Sequence, residues 1–378
     1  MFAIGLMSGT SLDGVTASLV EIVRGKFKLV NCITVPYSAS FKAKIFRNLN
    51  KETAKLDEIS SLNFELSDWF VMAIDEVLKG TSLTYKDIKF VASHGQTIWH
   101  DPHGVRPNTL QIGEASVISY KTGITCISNF RCMDVSGGGE GAPLIPFSEY
   151  YLYRSKTKNL VFQNIGGISN LTYIKKNASL DEVKAFDTGV GNIMIDYFMK
   201  RFFGCDYDDG GKTAFKGKII DDLYEYLKKD EFVYREPPKS TGREQYSVSF
   251  MESLISKFDL ENYKNKEDII TTVSEFTAYN ISYNYNKFLK DVDLVIVSGG
   301  GSHNNYLMKR IGEMSNTKCI TGDEFGINSD SKESFGFAVM GYMTLKGLPS
   351  NVKSVTGASE SLVLGDITIG KNEYKFRR

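Results

Sequence analysis

The chain has 378 residues, no formal net charge at neutral pH and 42% hydrophobic residues, a composition typical of an ordinary soluble globular protein. Its length favours two domains over one. A net charge of zero gives no reason to expect nucleic acid or a membrane surface as a partner. Five scattered cysteines without a CxxC pair argue against a disulfide framework and a zinc ribbon. Without a signal sequence or a long apolar run, we expect a cytoplasmic protein.

The first part of the chain alternates strands with helices. Three consecutive strands are predicted, FAIGLM, GVTASLVEIV and KFKLVNCITV. Apolar residues at helical spacing predict a long helix over 56–80. A strand (IKFVASHG), a helix (EASVISYKTG) and another strand (ITCISNF) follow. This alternation is typical of an α/β fold.

The same pattern restarts near residue 159. NLVFQNIGGISNLTYIKK again predicts two strands around a glycine-containing bend, and VKAFDTGVGN leads from a strand into a helix. Long helices over 267–289 and 331–347 flank one more strand–helix unit, VDLVIVSGGGSHNNYLMKRI. The repeat predicts an α/β chain of two similar domains, which we expect over residues 1–133 plus 350–378 and over residues 134–349.

Glycine-rich loops join several of these elements. In the first bend, short hydroxyl side chains and glycines expose backbone N–H groups that can bind a phosphate, and Asp13 could hold a hydrated Mg²⁺. A plain tight turn would have a similar composition. Four further loops, at 131–144, 164–170, 186–192 and 297–308, favour a nucleotide held from two sides. A P-loop does not fit, because the leading glycine expected before GGKT is Asp206. GxGxxG does not fit either, because GGGSHN lacks the final glycine and no acidic partner follows at the right distance.

Three of the four histidines lie in SHGQTIWHDPHG: His94, His100 and His103. Their spacing does not fit HExxH, and no neighbouring cysteine or carboxylate cluster completes a zinc site. We therefore favour a polar, substrate-contacting loop over a metal site, with exposed or capped histidines as the ordinary alternative.

Several charged residues lie beside the glycine- or proline-rich loops. Arg131, Lys239 and Arg243 are surface cations by default, although cations facing a phosphate or carboxylate would occupy such positions. Glu333, near the start of a long helix, is by default a favourable acid in the first turn.

Taken together, GLMSGTSLDGV, SHGQTIWHDP, NIGGISNLT, FDTGVGN, PPKSTGRE and GGGSHNNYLM resemble the motifs of the anhydro-N-acetylmuramic acid kinases, a family of the actin, heat-shock ATPase and sugar-kinase superfamily. The resemblance runs from residue 4 to TGASESLVLGDITI near the C-terminus. It implies two actin-like (ribonuclease H-like) ATPase domains with the active site in the cleft between them. It also implies a cytoplasmic homodimer that uses ATP, Mg²⁺ and a small sugar.

The implied reaction belongs to peptidoglycan recycling and converts 1,6-anhydro-N-acetylmuramic acid, ATP and water into N-acetylmuramic acid 6-phosphate and ADP. The oxygen on C6 is locked in an ether bridge to C1, so a carboxylate must activate water against C1 while O6 takes the γ-phosphoryl group. Asp187 matches the family's catalytic aspartate and would be this base. Glu333 would help to hold the sugar or the water, and Arg131 would pair with the lactyl carboxylate.

The resemblance assigns further binding residues. Those expected to bind ATP are Gly9, Thr10, Ser11, Leu12, Asp13, Gly14, Val15, Thr16, Asn164, Gly166, Gly167, Gly299, Gly300, Gly301 and Asn304. Those expected to bind the sugar are His94, Gln96, Thr97, Arg131, Glu140 and Gly141, and Asp13 is the candidate Mg²⁺ ligand, through water. Three positions depart from the family pattern: Val190 replaces proline, Ser334 replaces alanine, and Glu140 replaces glutamine, which brings a negative charge toward an acidic substrate.

Three alternatives stay open at this point. The first is a kinase for another anhydro sugar such as levoglucosan, which lacks the carboxylate; Arg131 and Glu140 are the discriminating positions. The second is a sugar kinase with an ordinary hydroxyl acceptor, in which Asp187 would deprotonate the sugar. The third is a non-catalytic, actin-like nucleotide-binding protein.

Overall fold

The computed structural model describes residues 1–9, 11–242 and 244–373, which fall into two compact units. The first unit is Met1–Leu152 with Asp330–Arg378, and the second is Tyr153–Ser329. The boundaries thus differ from the expected ones at 133 and 350. The physical reason is helix packing within the first unit: a Cβ atom on Gly336 would lie 2.7 Å from the hydroxyl of Ser148, so the helices that carry these two residues belong together.

The first unit contains a six-stranded sheet in the order β13-β7-β4-β1-β2-β3 and a separate hairpin, β5-β6. β1, β2 and β3 are antiparallel, whereas β4 runs parallel to β1 and β7 runs parallel to β4. The strands are β1 (Phe2–Ser8), β2 (Gly14–Val23), β3 (Lys26–Pro36), β4 (Ile88–Ser93), β5 (Gln96–Asp101), β6 (Asn108–Ile112), β7 (Thr125–Ser128) and β13 (Asp366–Thr368). Residues 96–101 of the histidine-rich stretch, which was expected to be a loop, therefore form strand β5.

The helices of the first unit are α1 (Ala39–Asn48), α2 (Leu56–Leu78), α3 (Ala115–Thr122), α4 (Phe130–Ser136), α5 (Ile145–Tyr153), α13 (Lys332–Leu345) and α14 (Lys353–Thr356). Of these, α2, α3 and α13 pack against the sheet. α13 packs directly on β1. The approach is so close that a Cβ atom on Gly5 would overlap the carbonyl oxygen of Ser334. The hydroxyl groups of Ser18 and Ser334 are 2.6 Å apart. Glycine in β1 thus permits the close approach that places the start of α13, including Glu333, over the sheet.

The second unit contains a five-stranded sheet in the order β10-β9-β8-β11-β12. Its strands are β8 (Leu160–Ile165), β9 (Ile168–Ile174), β10 (Lys184–Val190), β11 (Leu294–Ser298) and β12 (Cys319–Thr321). Its helices are α6 (Ile193–Phe203), α7 (Asp221–Leu227), α8 (Glu231–Tyr234), α9 (Val248–Lys257), α10 (Lys266–Phe288), α11 (Asn305–Ser315) and α12 (Gly322–Phe325). β8, β9 and β10 are antiparallel, and β11 and β12 continue in parallel from β8.

The two sheets share one topology. In each, the first three strands form an antiparallel meander in the order third-second-first, and two parallel strands follow beside the first. This order is that of the ribonuclease H-like domain, so the predicted pair of similar actin-like domains is confirmed. In both units the first strand ends in a bend, at residues 8–14 and at residues 165–168.

Each unit has its own apolar core. In the first, β1, β2 and α2 contribute buried side chains such as Leu6, Leu19 and Phe70. In the second, α6 and α10 pack on the sheet through residues such as Phe198 and Phe276. Each of these two clusters lies within one unit, in agreement with the expectation that the chain is too long for a single core. Among the described helices, we find none with the length and apolar character needed to cross a bilayer.

Candidate active site

Side-chain hydrogen bonds of Ser8, the last residue of β1, hold the start of the bend between β1 and β2. The buried hydroxyl of Ser8 donates to Oε1 of Gln96 and bonds the hydroxyl of Tyr37, both at 2.6 Å. Leu12 adopts a left-handed conformation with φ of 57°, and its side chain is buried in the core. These contacts hold Ser8 and Leu12 in place on either side of the bend, and backbone N–H groups exposed in such bends can bind an anion.

The expected phosphate-binding residues divide into accessible and buried ones. Gly9 is partly exposed, and Ser11 and Asp13 are exposed. Val15 is buried in the core, and the hydroxyl of Thr16 lies 2.9 Å from that of Thr34. Gly14 is required by packing, since a Cβ atom there would overlap the carbonyl oxygen of Val35. Thr10 lies outside the described residues.

A second group of polar residues surrounds Arg131, on α4. Its Nε donates to Nε2 of His94 at 3.0 Å, and its Nη1 donates to the carbonyl oxygen of Gly141 at 2.6 Å. Since arginine only donates, Nε2 of His94 is the accepting nitrogen and Nδ1 donates to the carbonyl of Gly95, 2.9 Å away. Burial, reinforced by the Arg131 cation, lowers the pKa of His94 to about 3. His94 is therefore neutral and orients the guanidinium of Arg131.

The turn that contains Gly141 is organised by Asp134, which the sequence analysis missed. This fully buried carboxylate accepts from the N–H of Gly141 at 2.8 Å, from Nδ2 of Asn351 at 3.0 Å and from the hydroxyl of Thr356 at 2.8 Å. Asp134 lies inside the glycine-rich motif at 131–144, so an acid there was visible. Two of its three partners, Asn351 and Thr356, follow more than 200 residues later, and no local pattern links them to it.

Two of the expected sugar-binding residues join elements of the first unit. Gln96 is only 1% exposed; its Oε1 accepts from Ser8 and its Nε2 donates to the carbonyl of Thr97 at 3.2 Å. The hydroxyl of Thr97 accepts from Nε2 of Gln111, also at 3.2 Å. These contacts connect the first bend to the hairpin β5-β6.

Glu140 and Glu333 have different surroundings. The exposed carboxylate of Glu140 lies 3.4 Å from Nε2 of His103. Glu333 stands in the first turn of α13 and is solvent-accessible. Loss of hydration of its carboxylate among the surrounding protein atoms raises the pKa of Glu333, and the cations of Lys332 and Arg131 oppose that rise. Arg131 and Glu333 therefore belong to one electrostatic group.

In the second unit, Asp187 projects from β10 at the start of the predicted FDTG motif. Its Oδ2 accepts from the N–H of Thr241 at 2.9 Å and from the hydroxyl of Ser240 at 3.2 Å. Burial raises the pKa of Asp187, and the hydrogen bonds and the Lys239 cation oppose the rise. Within the described part of the chain, Oδ1 accepts no hydrogen bond. One oxygen is thus fixed while the other is available to a ligand.

Lys239 differs from both expectations for it, a surface cation or a cation facing a ligand. It is 6% exposed, and its Nζ donates to the carbonyl oxygens of Phe232 and Val233. Both expectations are therefore wrong, because the side chain turns into the core of the unit. Arg243 lies outside the described residues.

The glycine loops of the second unit lie against one another. The carbonyl of Gly166 accepts from the N–H of Asn192 at 2.8 Å, and the carbonyl of Gly167 accepts from the N–H of Gly191 at 2.9 Å. The next loop packs against the same bend, since a Cβ atom on Gly299 would lie 2.7 Å from Oδ1 of Asn164. These contacts bring the bends after β8, β10 and β11 together.

The third loop leads into α11. Gly300 is exposed, whereas Gly301 packs against Ile165 and leaves no space for a side chain. Asn304 is buried and its Oδ1 accepts from the N–H of Leu307 at 3.1 Å, which caps α11. The side chain of Asn304 therefore has a structural role, and the accessible glycines of this loop are Gly300 and, in part, Gly299.

In the first bend, the candidate ligand for a divalent cation is the carboxylate of Asp13. Magnesium in phosphate-transfer sites is held by one or two carboxylates, substrate phosphates and water. Asp13 is an exposed carboxylate beside the bend, 3.3 Å from Nζ of Lys42, which fits a water-mediated role. The described residues include no group of three or more histidine, cysteine, aspartate or glutamate side chains arranged around a metal position.

Comparison with known proteins identifies the family. The family model of anhydro-N-acetylmuramic acid kinase matches residues 1–370. The anhydro-N-acetylmuramic acid kinase of Bacillus thuringiensis subsp. konkukian (strain 97-27) is 43% identical over 381 residues, which cover 97% of this chain and 99% of that protein. The enzyme of the same name from Bacillus cereus (strain AH820) has the same identity and coverage.

Among solved structures, the activator of the 2-hydroxyisocaproyl-CoA dehydratase from Clostridium difficile with bound ADPNP aligns over 92% of this chain and 96% of that one, with 14% identity and a TM-score of 0.48. The identification rests on the family match and on the two bacterial relatives. This chain belongs to the anhydro-N-acetylmuramic acid kinase family.

Proposed function

We propose that this kinase opens 1,6-anhydro-N-acetylmuramic acid with water and transfers the γ-phosphoryl group of ATP to O6. The products are N-acetylmuramic acid 6-phosphate and ADP. In the balanced reaction, a water oxygen bonds to C1, the C1–O6 bond breaks, O6 bonds to the γ-phosphorus, and the bond from that phosphorus to ADP breaks. The proposed location is the cytoplasm, where ATP is available.

The observation that carries this proposal is the asymmetric environment of Asp187. Oδ2 is held by Ser240 and Thr241, whereas Oδ1 accepts no hydrogen bond among the described residues. An oriented carboxylate with one free oxygen is suited to take a proton from water. Burial also raises its pKa, which makes it a stronger base than an exposed aspartate. The ether oxygen O6 carries no proton, so this base acts on water rather than on the sugar.

The surroundings of Arg131 favour a substrate that carries a carboxylate. Two of its nitrogens are engaged by His94 and Gly141, and within the described residues Nη2 has no hydrogen-bond partner. An oriented guanidinium with a remaining donor can bind the lactyl carboxylate that distinguishes muramic acid from a neutral sugar. The exposed carboxylate of Glu140 lies 3.4 Å from Nε2 of His103. Glu333 is proposed to orient the sugar or the water.

The remaining assignments concern ATP. We propose that the bend at residues 8–14 and the glycine loops after β8 and β11 bind the nucleotide through backbone groups. Asp13 would hold a hydrated Mg²⁺, which when bound neutralises charge on the phosphates. Of the residues proposed to act in the reaction, Arg131 and Glu333 belong to the first unit and Asp187 belongs to the second.

The test follows product formation in ¹⁸O-labelled water, with anhydro-N-acetylmuramic acid and levoglucosan as parallel substrates. The proposal predicts label at C1 of N-acetylmuramic acid 6-phosphate and little turnover of levoglucosan. Asp187→Asn should lower kcat roughly 10²–10⁴-fold with ATP binding preserved. Asp206→Asn is the matched control, because that side chain is exposed on the same unit. Unlabelled product, preferred turnover of levoglucosan, or near-normal kcat in Asp187→Asn would contradict the proposal.

A further inference from the structure

Lys239 is a buried cation, and among the described residues its Nζ contacts no carboxylate directly. Its Nζ donates to the carbonyl oxygens of Phe232, at 3.1 Å, and Val233, at 2.9 Å, both in the short helix α8. The same nitrogen lies 5.0 Å from the ring centre of Phe232, 5.2 Å from that of Phe288 and 6.0 Å from that of Phe186. Main-chain carbonyls and aromatic faces thus replace the water that this cation loses.

The backbone beside this side chain holds the proposed base. The carbonyl of Lys239 accepts from the N–H of Asp187 at 3.1 Å. The next two residues supply both donors to Oδ2 of Asp187, the hydroxyl of Ser240 and the N–H of Thr241. Residues 239–241 therefore contact Asp187 three times, and the side chain of Lys239 fixes this segment to α8.

A second set of contacts holds the far end of the same segment. The hydroxyl of Thr241 donates to Oε1 of Gln245 at 2.7 Å, and Nε2 of Gln245 donates to Asp230 at 2.9 Å. Asp230 is the N-cap of α8. Both attachments end on α8, so α8 is the support on which the donors to Asp187 are built.

The charged groups that act on the Lys239 ammonium are Arg235, Asp230 and Asp187. Burial and the nearby Arg235 cation lower the pKa of Lys239 to about 8, and the two aspartates oppose this shift. A lysine in such a site changes charge within the range in which an enzyme is assayed, whereas arginine keeps its charge.

We propose that Lys239 is a positioning residue for Asp187: its buried ammonium anchors residues 239–241 to α8, and this segment aims Oδ1 of Asp187 at the water while holding Oδ2. This inference rests on the proposed role of Asp187 as the base. When Lys239 loses its proton, the charge-assisted part of both hydrogen bonds and the attraction to the rings are lost. The segment then loosens and kcat declines at alkaline pH.

The test compares three variants of the full-length enzyme. Lys239→Met removes the charge at similar volume, and Lys239→Arg keeps it. Lys266→Met is the matched control, because Nζ of Lys266 also donates to two main-chain carbonyls and lies 4.7 Å from the centre of an aromatic ring, that of Phe202. The pH profile of kcat, the KM for ATP and the free energy of unfolding are measured for each.

We expect Lys239→Met to lower kcat at least about tenfold with an unchanged KM for ATP. The acidic limb of its pH profile should move to higher pH, because the hydrogen bonds of the loosened segment and the lost Lys239 cation no longer lower the pKa of Asp187. Lys239→Arg should retain activity, and its alkaline limb should move above that of the wild type. Lys266→Met should match the wild type in all of these.

Three results would overturn the inference: wild-type kcat in Lys239→Met, an acidic limb that does not move in that variant, or an unchanged alkaline limb in Lys239→Arg. If Lys239→Met does not fold, the alkaline limb of Lys239→Arg decides. If only this inference is wrong, Asp187→Asn is still inactive. If the proposed function of Asp187 is wrong, Asp187→Asn retains activity.

Discussion

Replacing the buried carboxylate of Asp134 by an amide should weaken both the first unit and its sugar site. Oδ1 accepts from Asn351 and Thr356, and Oδ2 accepts from the N–H of Gly141. In Asp134→Asn one of these oxygens becomes an NH₂ group, so at least one buried donor meets another donor. Facing the NH₂ toward Gly141 sacrifices one hydrogen bond, and the other orientation sacrifices two.

The magnitude follows from these bonds. One buried donor left without an acceptor costs about 1–3 kcal/mol. The two hydrogen bonds that remain become neutral and weaken by about 1 kcal/mol each. We therefore expect a loss of about 3–5 kcal/mol, a large part of the roughly 5–15 kcal/mol that stabilises a typical domain.

The assay is urea-induced unfolding followed by tryptophan fluorescence. Both tryptophans, Trp69 and Trp99, lie in the first unit, so the signal reports the unit that contains Asp134. Asp68→Asn is the control, because its side chain is 58% exposed in an ion pair, and it should stay within about 0.5 kcal/mol of the wild type. A loss below about 1 kcal/mol in Asp134→Asn would refute the reasoning.

The same variant should change the kinetics selectively. Gly141, released from Asp134, no longer holds its carbonyl against Nη1 of Arg131. The KM for the anhydro sugar should rise about tenfold, which corresponds to about 1.4 kcal/mol, and the KM for ATP should not change. An equal increase in both constants would indicate a general loss of structure.

Three other predictions concern the first unit. Gly5→Ala should destabilise the protein by about 1–3 kcal/mol in the same unfolding assay, because the new methyl group overlaps the carbonyl of Ser334; wild-type stability would contradict this packing. The folded-state pKa of His94 is about 3, below its unfolded value, so the free energy of unfolding should fall as the pH drops from about 6.5 toward 3. This fall should be less steep in His94→Gln, and equal slopes in the two proteins would refute a contribution of His94 to the pH dependence. Glu140→Gln should change the KM for the anhydro sugar less than about threefold, because this exposed carboxylate lies beside His103, whereas a tenfold change would show direct contact with the sugar.

Local sequence patterns predicted most of the strands, the long helices and the glycine-rich bends. These features depend on neighbours in the chain: alternation defines a strand such as β2, helical spacing defines α2 and α10, and glycine marks a bend or a close approach. The repeat of hairpin and strand–helix units also predicted the two similar sheets. The motif resemblance predicted the family, and the comparison with known proteins confirmed it.

Only the tertiary structure determined the contacts between distant segments of the chain. The unit boundaries depend on α13 packing onto β1, where Ser18 and Ser334 are 316 positions apart. Asp134 bonds residues 217 and 222 positions away, and Lys239 turns inward because the carbonyls of α8 and three aromatic rings surround its Nζ. The sequence alone predicted which segments carry the chemistry. The fold determined which side chains face a ligand and which ones hold them there, because burial and hydrogen bonding depend on residues that meet only after folding.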